Sequence, residues 1–153
     1  MPRKPKTWAQ KMQAQPPHVV TLDKDFAGVT AGSRLLISSP MELDGWLRKH
    51  TRPGEFLSIQ ELRTRLAREH RVDAACPVST SIFLRTVSEH AWEQIEAGAS
   101  AADVAPFWRV VDPGSPLSKK LTCGPVWIEQ QRAAEAVSSA DATRPRRPSS
   151  PRP

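Results

Sequence analysis

The chain contains no apolar run approaching the ~18 residues that a membrane-spanning helix needs, so no membrane partner is expected. It opens basic, with Arg3, Lys4 and Lys6, but no apolar stretch follows, and no secretory signal is expected. Cysteine is scarce. Cys76 and Cys123 are the only two, and a reduced, cytoplasmic chain is the expectation. Together with His18, His50, His70 and His90 they offer neither Cys-x-x-Cys nor His-x-x-x-His spacing, so no metal and no cofactor is expected. Gly28 and Gly32 are not followed by Gly-Lys-Ser/Thr, which excludes a phosphate-binding loop.

What remains is a 153-residue chain of one domain with basic ends. The formal charge is +6, of which residues 1–24 carry +4 and residues 136–153 carry +3, leaving the middle at −1. A high pI that comes from the ends is weak evidence for nucleic acid; a local patch is better evidence. Residues 48–71 supply one, with seven Lys/Arg against three Glu. Residues 87–103 carry only Glu89, Glu93, Glu96 and Asp103. Residues 1–17 read as a basic arm, with Thr7 and Gln10 capping a short helix and Trp8 either docked on the domain or reaching along DNA. Residues 137–153, rich in Ser, Arg and Pro, read as a disordered tail.

Within the domain, 18–136, His18–Leu22 and Arg34–Ser38 read as strands. Ser39-Pro40-Met41-Glu42 is a capping box that opens a helix burying Leu43, Trp46 and Leu47. A second box, Ser58 with Glu61, opens another, stapled by Leu57 and Leu62. Its Ile59, Leu62 and Leu66 share one face, and Arg63, Arg65, Arg68 and Arg71 take the other. After a short turn, Pro77 starts a third helix with an apolar stripe of Phe83, Leu84, Val87, Ala91 and Ile95. The last two helices are either a helix-turn-helix or a hairpin that only packs a core. Pro106–Val111 and Pro116–Leu121 can pair as a hairpin around Asp112-Pro113-Gly114-Ser115, which would be a wing. Pro125 starts a final helix to about Ala136.

The order of these parts carries a resemblance. Pro53-Gly54, then a strand, then the capped helix, then Ala74-Ala75-Cys76-Pro77-Val78-Ser79, then Pro106-Phe107-Trp108-Arg109-Val110-Val111, Gly114 and Leu117 resemble the DNA-binding domain of alkylguanine-DNA alkyltransferases, over residues 40–135. The chain is more similar still to their non-catalytic alkyltransferase-like relatives. The family's reactive motif is Pro-Cys-His-Arg-Val, with an alkyl-accepting Cys and a His that helps ionise it. Here those two positions hold Phe107 and Trp108. The family's tyrosine matches Ile59, and the arginine that fills the gap left by a flipped nucleotide matches Cys76. The resemblance therefore implies the scaffold without the transfer chemistry.

The expected fold is mainly α with small β elements, a winged helix-turn-helix. The expected function is non-catalytic binding of duplex DNA by a monomer, in damage recognition or repair, with a modified base as a candidate feature of the duplex. By the resemblance, Ser79, Thr80 and Ser81 lie near the sugar-phosphate backbone, and Arg63, Arg65, Arg68 and Arg109 supply charge. Phe107 and Trp108, with Cys76, are either core or the wall of a base pocket; flipped bases are held by stacking on such side chains. Two other readings stand beside this one. The first is a protein-interaction module on the same fold that has lost DNA. The second is a residual methyltransferase using Cys76, which follows His70 and precedes a helix start, or Cys123.

Overall fold

The computed structural model describes residues 4–143, which are mainly helical with one small sheet. Strands β1 (His18–Thr21) and β2 (Arg34–Ile37) pair antiparallel, with His18 opposite Ile37 and Thr21 opposite Arg34. A two-residue strand, β3 (Ala74–Ala75), adds to β2 in parallel. It lies inside the stretch expected to be a simple turn. Main-chain bonds hold it at both ends: Asp73 N–H donates to Arg34 O at 3.1 Å and Cys76 N–H to Leu36 O at 2.9 Å. The Asp73 carboxylate also accepts the Arg34 amide at 2.8 Å.

The helices start where side chains can satisfy their free amides. Helix α1 (Trp8–Lys11) has the full reciprocal box between Thr7 and Gln10. Helix α2 (Pro40–His50) is capped by Ser39, and α3 (Ile59–Glu69) by Ser58, whose Oγ accepts the Glu61 amide at 3.0 Å. Helix α4 (Pro77–Glu96) is capped by the Cys76 sulfur, which accepts the Ser79 amide at 3.4 Å. Helix α5 (Pro116–Lys120) is capped by Ser115, and α6 runs over Gly124–Thr143. Helix α6 passes through the boundary at 137 where the tail is expected to begin. The remaining tail residues, 144–153, lie outside the described residues.

Leu36, Leu43, Leu47, Leu62, Leu66, Leu84, Val87, Phe107, Trp108 and Ile128 form the centre of a single core. It is closed by β2, α2, α3, α4 and α6. Helix α2 packs on α4, and α1 docks on α4 with Met12 buried. Trp8 is half-buried there, with Lys11 Nζ 4.1 Å and Arg85 Cζ 5.6 Å from its ring centroid. Between α2 and α3 run two Glu–His contacts, Glu42 with His70 at 2.7 Å and Glu69 with His50 at 3.3 Å.

The expected hairpin is absent. Phe107–Arg109 form a 3-10 turn, and the segment expected to return as its partner strand is α5. Two local preferences win there. Pro116 sits at a helix start, where its missing N–H costs nothing, and Ser115 caps the turn through the Ser118 amide. Phe107 and Trp108 each gain more from full burial than one face of an exposed ribbon would allow.

Candidate nucleic-acid interface

Helices α3 and α4 are joined through β3, and this connection sets which of the expected residues reach solvent. On α3, Arg65 and Arg68 are exposed and Arg63 is half-buried. Arg71 lies beyond the helix, exposed, with a left-handed φ of 55° that closes the α3 C-terminus. On α4, Ser81 is exposed. Thr80 is fully buried and Ser79 half-buried, and the hydroxyl oxygens of both are enclosed without a partner among the described residues. Thr80 therefore cannot touch a phosphate: its Cβ faces the core side of the helix.

Arg109 is likewise withdrawn from the surface. It is 8 % exposed, and each of its three guanidinium nitrogens has a partner. Nε and Nη2 donate to the Glu135 carboxylate at 3.1 and 2.9 Å, and Nη1 donates to Thr51 O at 3.0 Å and Thr51 Oγ1 at 3.1 Å. Glu135 also accepts the Gly54 amide at 3.2 Å, in the Pro53-Gly54 turn that needs the positive φ of Gly54. The arginine is an internal tie between the 3-10 turn, α6 and the loop after α2.

Phe107 and Trp108 lie in the core, and only Trp108 borders a depression, one of about 300 Å3 that it shares with Pro53, Arg109 and Glu135. Their exposures are 0 % and 1 %, and Trp127 closes over both. Phe107 stacks on Trp127 with centroids 5.8 Å apart, and Trp108 meets it edge-on at 5.7 Å. Cys76, 3 % exposed, is consumed as the α4 cap. Cys123 is half-buried, and burial first, then the nearby Glu89 carboxylate, pushes its thiol up to about 11. A thiol held protonated at neutral pH is a poor nucleophile. Glu89 itself is buried and accepts the Thr122 amide and hydroxyl at 2.7 and 2.6 Å.

The open concavity lies elsewhere. A groove of about 700 Å3 runs from the α3 N-terminus across the second turn of α4 to α5. Its floor is apolar, from Phe56, Ile59, Ile82, Val111 and Leu117, and Arg85, Lys120 and Arg132 stand around it against Asp112. Ile82 is 57 % exposed, and Val78, one helical turn earlier, 47 %. Arg132 lies over the Phe56 ring at 4.6 Å and donates to Trp108 O at 2.6 Å and Val111 O at 3.1 Å. Burial lowers its pKa from the usual arginine value, and Asp112 opposes that shift.

Ser58 belongs both to this groove and to a shallower depression containing Arg65 and Arg68. Arg68 in turn borders a hollow at the start of α4. One surface thus joins groove, α3 face and hollow. The three groove cations come from three separate elements with no shared period, so no sequence pattern announces them; only Arg85, four positions after Ser81, is within reach of helix arithmetic. Among the described residues no three His, Cys, Asp or Glu side chains come together to hold a metal, and no helix is long and apolar enough to cross a membrane. No family model matches the sequence, and no curated protein or solved structure matches it either.

Proposed function

We propose that this chain is a non-catalytic duplex-DNA-binding protein of the alkyltransferase-like kind, acting in damage recognition or repair. The observation that carries the proposal is that Arg85, Lys120 and Arg132 border the groove beside α4, against Asp112, while Arg65 and Arg68 border the depression that meets it at Ser58, against Glu61. Phosphate contacts supply most of the affinity of such surfaces and fix the orientation of the protein on the duplex. Ser81 adds a hydroxyl donor on the same edge. Helices α3 and α4 serve as the helix-turn-helix, with α5 in place of a wing. The methyl-transfer reading loses support from the burial of Phe107 and Trp108, the capping role of Cys76 and the protonated thiol of Cys123.

The test is fluorescence anisotropy of a labelled duplex at ~50 mM salt, where phosphate contacts are strong. Binding that weakens steeply with salt supports the proposal; absence of binding overturns it. Comparing plain and alkylated duplexes then decides whether a modified base is read. One observation favours the protein-interaction reading instead: Phe56, Val78 and Ile82 are large, apolar and exposed. Salt-insensitive capture of a protein partner, with no duplex binding, would replace the DNA reading with that one.

A further inference from the structure

We infer that Trp8, in the N-terminal arm, is a positioning residue for the proposed DNA binding, on which the inference rests: it holds Arg85 at the rim of the groove with the guanidinium donors left for phosphate. The arm is seated on the domain. Thr7 and Gln10 close the reciprocal cap of α1, Met12 is 4 % exposed within the core, and α1 packs on α4. That seating brings the half-buried Trp8 ring to Arg85, whose Cζ lies 5.6 Å from the ring centroid. A cation and an aromatic face attract each other within about 6 Å.

Arg85 differs from the other cations of the groove. Arg132 is pinned by its own donors, Nε on Trp108 O at 2.6 Å and Nη2 on Val111 O at 3.1 Å, so part of its fork is spent. Arg85 is exposed, lines the groove and forms no ion pair among the described residues. A free arginine loses rotamer freedom when it grips a phosphate. A ring beside it restrains the side chain in advance and offers no oxygen acceptor, so its N–H groups remain for the ligand. Lys11 also lies over the Trp8 ring, at 4.1 Å, but borders neither the groove nor the depression beside it, and its tether stays within the arm.

The test titrates a labelled duplex with the whole chain and with Trp8→Leu, which keeps an apolar side chain against α4 and lacks the ring. Affinity should fall about two- to fivefold at low salt. The log–log slope against salt should flatten by up to ~0.9, the share of one phosphate contact. Trp8 carries no charge, so a flatter slope on its removal reports a cation that has left its phosphate. In an Arg85→Gln background Trp8→Leu should change nothing further, whereas in a Lys11→Gln background it should act in full. Trp8→Phe, which keeps a ring, should recover most of the parent affinity.

A second measurement needs no variant and serves if Trp8→Leu does not fold. Cross-relaxation between the Trp8 ring protons and the Arg85 side chain should be visible in the unmodified chain and persist with duplex bound. Its absence from the complex overturns the inference. Duplex binding that Trp8→Leu leaves unchanged, a loss that persists in the Arg85→Gln background, or Trp8→Phe no better than Trp8→Leu overturns the inference and keeps the DNA reading. A parent chain that binds no duplex ends both.

Discussion

Arg109 and Glu135, 26 positions apart in the chain, meet inside the protein with Nη2 and Oε1 2.9 Å apart. The pair joins the 3-10 turn to α6, and Thr51 and Gly54 complete its hydrogen bonds. A buried pair so held tolerates joint replacement better than the loss of one partner.

The first prediction follows from that asymmetry. Glu135→Ala should destabilise the protein by about 3–5 kcal/mol, because it strands a buried guanidinium. Arg109→Met with Glu135→Leu should recover much of the loss. Urea unfolding of the three chains measures both. A Glu135→Ala variant as stable as the parent would show that Arg109 reaches water after all.

Phe107 and Trp108 give the second. Truncation of either to alanine should cost about 3–5 kcal/mol, the usual range for a large aromatic core side chain. Aromatic residues lining an open base pocket would cost much less in stability and more in DNA affinity. Thermal unfolding alongside duplex titration distinguishes the outcomes.

Third, Cys123 should be inert at neutral pH. Alkylation by iodoacetamide should be slow at pH 7.5 and accelerate toward about pH 11, where the thiol ionises. The folded value lies above the ordinary 9.0, so the folded state holds this proton more tightly than the unfolded state. The contribution to stability is therefore complete below about pH 9 and lost as pH rises toward 11. Incubation with a methylguanine duplex should add no methyl group to either cysteine, as read by mass spectrometry.

Fourth, Arg65→Ala with Arg68→Ala should flatten the dependence of duplex affinity on salt. The log–log slope should change by roughly 0.9 for each phosphate left without its arginine, close to two units for the pair. Both side chains are exposed, so the melting temperature should hardly move. Unchanged slopes would place the duplex on another face.

What the sequence disclosed was mostly local. Ser39, Ser58 and Thr7 announce helix starts because a cap and its amide lie three residues apart. The stripe of Leu62 and Leu66 is legible for the same reason. Strand β3 escapes because two alanines carry no period; only their partner Leu35-Leu36, far away in sequence, makes them a strand. The Pro106–Val111 run reads wrongly as a wing strand because a short apolar run looks alike in a strand and in a buried turn. Arg109 is a DNA contact only by the resemblance, and nothing near it in sequence reveals Glu135, which holds it inside. The groove cations Arg85, Lys120 and Arg132 meet only through the fold.

Helix α4 hangs from the sheet by its main chain: Ala75 pairs with Leu36, and Cys76 N–H bonds Leu36 O. Its outward letters, Val78, Ser81, Ile82 and Arg85, take no part in that suspension. The edge can therefore be rewritten without unhooking the helix. Exchanging these four side chains should redirect what the protein grips while leaving its folding intact, which makes the element a natural cassette for changing specificity.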